Sequence, residues 1–391
     1  MSSFLRMTKI SGVTHMTSKE RMLIAMQNGV PDRVPAAPDF STMIPERLTG
    51  KPTWDIELHG NPPLWKAYID AVKYFGTDGW FIYGGVGLIT DSKVEFRARI
   101  ISQDEERIRR EVIYVTPIGE MVTETVFFRS NSATMTQKPI KNLKDEFEKL
   151  KYLYPEILGY DSSYLEEMRS ELGELGALGC TCTYPGFQNW FTVCNTGLEE
   201  LSYTYMDHPE LIEEWRVMEH ERSIKIMEMT IDAKPDFILL GGSGSITMQS
   251  PSLFRELSLP SIKLMTKMAK EAGIPTMIHS CGKERALVEM CANETDLNCV
   301  NPLEIPPMGD CNLAEIKQTF GHKVAMMGNL HTTEVMLKGT PEDVEREALK
   351  CLEDAASGGG FILSTGDQCG RDTPDANIRK LVEVCEKYSR Y

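Results

Sequence analysis

The chain has 391 residues, 41% apolar and 25% charged, with 42 basic and 57 acidic side chains and a formal charge of −15. Such a field repels a phosphate backbone or an anionic membrane surface, and no basic cluster offsets it, which argues against nucleic acid and membrane partners. No run of about 18 apolar residues offers a membrane span, and the opening MSSFLRMTKISG lacks the apolar stretch of an export signal. The expectation is a cytoplasmic chain whose ten cysteines are reduced thiols.

Thr17-Ser18-Lys19-Glu20 reads as a capping box, with Thr17 as N-cap and Glu20 three residues on, and predicts a helix over 17–28 that stops at Asn28-Gly29. After Pro31 eight short apolar runs read as buried parallel strands: Arg33–Ala37, Gly79–Tyr83, Gly176–Cys180, Asp236–Leu240, Pro275–His279, Cys299–Leu303, Lys323–Met327 and Gly360–Ser364. Helical patterns fill most of the gaps. Pro251–Ala272 carries one apolar face, Pro341–Ala356 starts on proline and ends at a glycine run, and the last helix opens with Thr373 as N-cap and Pro374 at N1. Strand followed by helix, repeated, predicts a (β/α)8 TIM barrel, one domain over 1–391.

One stretch breaks the alternation. VEFRARII, RIRREVIYV and MVTETVFF, within 94–128, alternate apolar and polar residues between polar turns. That period suits antiparallel, half-exposed strands and predicts a β-insertion after the second barrel strand.

Residues two apart on a strand share a face. His279 and Cys281 have that spacing at the C-terminal end of the fifth run, the end where barrels keep their active sites. Cys369 follows the eighth run and Glu304 the sixth. An imidazole, two thiolates and an open position suit a catalytic Zn²⁺; the bland reading is a polar histidine and two core cysteines. Cys180 and Cys182 also share a strand face, but no histidine at a comparable strand end completes a site, so they read as core, like the six remaining cysteines. His331 follows the seventh run and reads more readily as structural. The glycine clusters Tyr83–Gly87 and Gly241–Ser245 lack the spacing of a dinucleotide or P-loop motif and read as close backbone approaches.

Four segments carry a resemblance: Pro31-Asp32-Arg33-Val34-Pro35, Ile278-His279-Ser280-Cys281-Gly282, Met327-Gly328-Asn329-Leu330, and Gly366 to Pro374 with Asn377. In order and spacing the chain resembles the uroporphyrinogen decarboxylase superfamily. Within it, His-x-Cys followed by a distant cysteine resembles the zinc-dependent, corrinoid-linked methyltransferases. The metal-free decarboxylases carry an arginine-rich segment where this chain has Pro35-Ala36-Ala37-Pro38-Asp39-Phe40. The resemblance implies Zn²⁺ held by His279, Cys281 and Cys369, with Glu304 or a substrate atom as fourth ligand. Asp39, Tyr184, Glu304 and Asn329 are the candidates for substrate contact. No D-x-H-x-x-G cobalamin motif occurs, so a separate corrinoid protein would bring the cobalamin. The expected activity moves a methyl group between that corrinoid and a small methyl ether, thiol, thioether or amine. The alternative is a metal-independent decarboxylase. The helix-rich exterior of a barrel permits a homodimer.

Overall fold

The structure, a computed structural model, describes residues 15–81 and 84–391. The N-terminal segment 1–14, residues 82–83 of the expected second strand, and Tyr83 of the first glycine cluster lie outside the described residues. Along the chain the strands are β1 (Gly79–Phe81), β2 (Gly87–Thr90), β3 (Glu95–Gln103), β4 (Arg107–Thr116), β5 (Gly119–Phe128), β6 (Thr134–Gln137), β7 (Ile157–Asp161), β8 (Gly176–Cys182), β9 (Phe237–Gly241), β10 (Thr276–His279), β11 (Cys299–Asn301), β12 (Ala325–Leu330) and β13 (Phe361–Thr365).

Seven of them form one parallel sheet in the order β1-β8-β9-β10-β11-β12-β13. Its two edges meet one segment of chain. On the β13 side Ala37 N donates to Leu363 O at 2.9 Å and Leu363 N to Pro35 O at 3.0 Å. On the β1 side Asp78 N donates to Ala36 O at 2.9 Å. The sheet is therefore curled, and it encloses a core of its own. Trp80, Ala177, Phe237, Leu239, Met277, Cys299, Ala325, Met327 and Ile362 pack there with Ala37. Gly179 leaves the space that the Phe237 ring fills, since a Cβ would sit 2.4 Å from it.

The helix Ser18–Met26 closes this inner core by adding Met22, Ala25 and Met26. Its start is set by the capping box: Thr17 Oγ1 accepts from Glu20 N at 3.2 Å and Glu20 Oε2 from Thr17 N at 2.9 Å. Arg21 on the same helix reaches Asp78 Oδ1 at 2.5 Å, and Arg33 reaches Asp78 Oδ2 at 2.8 Å. Asp78, fully buried, so ties the helix, segment 33–37 and β1 together. A second, larger core lies between the outer face of the sheet and the helices. Burying each such side chain is worth about 1.5–3 kcal/mol. No helix among the described residues is long and apolar enough to cross a membrane.

Three local expectations are corrected. The pattern at 251–272 forms two helices, Pro251–Leu257 and Leu259–Ala272, because Pro260 has no amide to continue the ladder. The last helix is capped by Pro374, with no side-chain cap bond. Thr373 instead ends a turn, its amide donating to Gly370 O at 3.0 Å. The antiparallel region extends beyond 94–128: β3-β4-β5-β6 form a four-stranded sheet, and β2 pairs with β7. β6 carries little sequence signal because Thr134-Met135-Thr136-Gln137 is largely exposed and lacks an apolar alternation.

Candidate metal centre

The inward-facing positions change character toward the strand C-termini. Two residues beyond Ala37, Met277, Cys299, Met327 and Ile362 on the same faces come Asp39, His279, Asn301, Asn329 and Ser364. An apolar floor thus gives way to a polar layer, all of it buried.

His279 ends β10, and β11 places Asn301 beside it in register. Asn301 Nδ2 donates to Met327 O at 3.2 Å, which turns its Oδ1 toward His279 Nδ1 at 2.6 Å. The imidazole proton therefore sits on Nδ1, and the Nε2 lone pair faces Cys281 Sγ at 3.0 Å. Cys281 alone of the ten cysteines is half-buried rather than buried. Its thiol lies 3.4 Å from Ser243 Oγ and its carbonyl accepts from Thr247 Oγ1 at 2.9 Å, both from the loop after β9. Gly282, at φ +92, then turns the chain so that its amide meets Glu304 Oε2.

His279, Cys281 and Asp367 bring one ligand atom each within 4.8 Å of one another. Four tetrahedral ligands on one zinc ion stand about 3.3–3.8 Å apart, so small side-chain shifts would accommodate the ion. The electrostatics reflect the same crowding. Burial pushes the Cys281 thiol far up, and the carboxylates of Asp367 and Glu304 push it further. Burial raises Glu304 as well, with Asp367 adding to it against the Gly282 amide and His279. Burial holds Asp39 at about 6, opposed by Ser41 and His279. Thiols and carboxyls crowded out of water in this way favour their protonated forms, and together they offer the sulfur and oxygen donors of a divalent-metal site.

Cys369 is placed two residues beyond Asp367 and is wholly buried. Its amide donates to Asp39 O at 2.8 Å, and its sulfur lies 4.0 Å from Thr365 Oγ1 rather than in the group of three. Burial, with Asp39 beside it, pushes this thiol up to about 12. Glu304 borders the group. Asn329 is used at both ends, Nδ2 donating to Leu303 O at 2.9 Å and Oδ1 accepting from Cys351 Sγ at 3.6 Å. Tyr184 is 1% exposed and backs the Gly241–Ser245 loop rather than lining the rim. His331 caps the turn Thr332–Leu337, its Nδ1 accepting from Thr333 N and Glu334 N at 3.2 Å.

Two members of the site gave little signal in the sequence. Asp367 stood among 57 acidic residues, next to a more conspicuous cysteine. Asn301 acquires its meaning only from the register of β11 against β10.

A parallel α/β sheet with a histidine, thiols and carboxylates gathered at its strand C-termini defines the general class. The chain belongs to the uroporphyrinogen decarboxylase (URO-D) family, whose model matches residues 118–388. It is similar to a methylated-thiol–coenzyme M methyltransferase of Methanosarcina mazei, 25% identical over 173 residues, covering 40% of this chain and 43% of that protein. It is similar to the methylcobamide:CoM methyltransferase MtbA of the same organism, 31% identical over 169 residues, 41% of each chain. A uroporphyrinogen decarboxylase of Histophilus somni shares 33% over 78 residues, 20% of this chain and 22% of that one. The chain thus aligns with about two fifths of the length of these methyltransferases. In three dimensions it matches a methyltransferase from Methanosarcina mazei with a TM-score of 0.65 at 18% identity, over 96% of this chain and 99% of that one, a likeness of fold.

Proposed function

We propose that the protein is a zinc-dependent methyltransferase, moving a methyl group between a small substrate and the cobalt of a separate corrinoid protein. One observation carries the reading: His279 Nε2 and Cys281 Sγ stand 3.0 Å apart, with Asp367 in the same group, at the rim of the curled sheet. The methyltransferase relatives support the reaction class. In this reading segment 33–37 is the eighth strand of a single (β/α)8 barrel domain, and the antiparallel sheet is an insertion in it. The protein would act in the cytoplasm, and a homodimer is compatible with the fold.

His279 and Cys281 would hold the ion. Cys369 would turn its sulfur inward as third ligand, with Asp367 or Glu304 beside it. The bound ion would supply Lewis acidity, the chemistry that activates a thiol or a methylated heteroatom. The chain's own residues do the rest. Asn301 fixes the imidazole tautomer. Two cysteine sulfurs supply the soft, electron-rich donors that suit alkyl transfer. Glu304, which burial holds above its ordinary carboxyl range, would take up a proton from an incoming thiol. A bulky partner would reach Cys281 past Ser243, whose hydroxyl lies 3.4 Å from the thiol.

A metal-free decarboxylase is the second reading, motivated by the Histophilus somni match. Against it, the segment leading to Phe40 is buried and carries no arginine between residues 34 and 40. Elemental analysis of the purified protein, with an assay of methyl transfer from methylcobalamin to small thiols, decides between them. Full activity without zinc would end the methyltransferase reading in this form.

A further inference from the structure

Glu284 is the N-cap residue of the helix Arg285–Glu294, yet its side chain makes no cap bond. That helix is served from elsewhere, Arg285 N donating to Asp310 Oδ1 at 3.0 Å. Glu284 is instead wholly buried, and its Oε1 accepts the amide of Leu303. Taking a carboxyl out of water for one backbone bond is unfavourable, and so is forgoing a cap. Something else must depend on that bond.

What depends on it is the backbone just before Glu304. Leu303 sits at φ +62, a left-handed conformation that a bulky side chain adopts only when its surroundings impose it. Both of its peptide groups are gripped: the amide by Glu284, the carbonyl by Asn329 Nδ2 at 2.9 Å. Glu304 follows. Its carbonyl accepts from Cys311 N at 3.0 Å and its Oε2 from Gly282 N. Gly309 makes room for this turn, since a Cβ there would lie 2.1 Å from Glu304 O. The loops after β10 and β11 are therefore stitched both ways, Glu284 reaching forward and Glu304 reaching back.

We infer that Glu284 is a positioning residue: through Leu303 it sets Glu304 at the rim beside His279 and Asp367, and so governs how tightly the rim holds a divalent cation. The inference rests on the reading of the rim as a metal site given above.

The test is Zn²⁺ affinity of the full chain, measured by competition with a chromogenic chelator, with thermal unfolding of the metal-free protein alongside. Glu284→Ala is expected to weaken Zn²⁺ binding about tenfold. Glu284→Gln keeps a carbonyl for the Leu303 amide and stays within about threefold of the parent. Glu284→Ala combined with Glu304→Ala binds no more weakly than Glu304→Ala alone, because both act through one carboxylate. Unchanged affinity in a folded Glu284→Ala protein, or full additivity in the double variant, overturns the inference. If Glu284→Ala does not fold, Glu284→Asp replaces it: it keeps the carboxyl group but is one methylene too short, and is expected to bind about tenfold more weakly than Glu284→Gln. Equal affinity of those two variants overturns the inference. A parent protein that binds no zinc overturns the metal reading itself. A parent that binds it indifferently to Glu284 overturns the positioning role alone.

Discussion

Asn301 Oδ1 lies 2.6 Å from His279 Nδ1 across two neighbouring strands, and the same amide group is anchored on Met327 O at 3.2 Å. The orientation of the rim histidine is thus decided by a residue that touches no reactant. Asn301→Ala should free the ring to flip and lower Zn²⁺ affinity by about 10–100-fold, the usual effect of losing such a partner. Asn301→Asp, which keeps the acceptor, should retain most of it. Chelator competition on the two variants checks this, and equal loss in both would rule out the tautomer argument.

Cys281→Ala should reduce bound zinc from about one ion per chain to background and abolish methyl transfer. Cys369→Ala should do nearly the same. Asp367→Ala should keep the ion at lower affinity. Metal analysis of the three proteins ranks the ligands, and the opposite order for residues 367 and 369 would assign the third position to the carboxylate.

Asp78 is fully buried and takes both Arg21 and Arg33, as well as the Ala36 amide at 2.8 Å. Asp78→Ala leaves the largely buried Arg21 without one of its counter-charges. The expected loss is about 3–5 kcal/mol of folding stability. Urea titration measures it. A loss under about 1 kcal/mol would show that the pair is replaceable.

Glu219 is buried among aromatic rings, where burial holds its carboxyl at about 8 against the Trp190 indole N–H that donates to it. The unfolded chain would ionise near the ordinary value of 4.5. Between these two values the folded state holds a proton that the unfolded state has released, so stability falls as pH rises. This contribution of Glu219 is greatest below about 4.5 and declines up to about 8. Glu219→Gln should flatten that part of the profile. Tryptophan fluorescence reads the transition directly, because Trp190 stacks on Trp215 at 4.5 Å between centroids. An unchanged slope in the variant would refute the assignment.

The parallel strands were legible in the sequence because burial on both faces leaves unbroken apolar runs such as Phe237-Ile238-Leu239-Leu240. Their C-terminal ends were legible too, and with them the convergence of His279 and Cys281. What stayed hidden depends on neighbours distant in the chain. Glu284 carries no signal in the sequence; its role appears only when Leu303 is found against it. Pro260 lies inside an otherwise continuous apolar stripe, and its missing amide divides what the periodicity presents as one helix. Polar β6 carries no apolar alternation; its partner β5 defines it.

Gln368 stands next to Cys369, and its side-chain oxygen accepts from Thr42 N at 2.8 Å, Thr42 Oγ1 at 3.0 Å and Met43 N at 3.2 Å. Thr42 Oγ1 also lies 3.4 Å from Ser132 Oγ, in the turn between β5 and β6. The outer, four-stranded antiparallel sheet β3-β4-β5-β6 is therefore linked through Thr42 to the loop that carries Cys369. Trimming the sheet would remove the Ser132 contact with Thr42, on which the Gln368 side chain rests. A chimera taking the outer sheet of another family member would need residues 42, 132 and 368 to travel together, as one inherited unit.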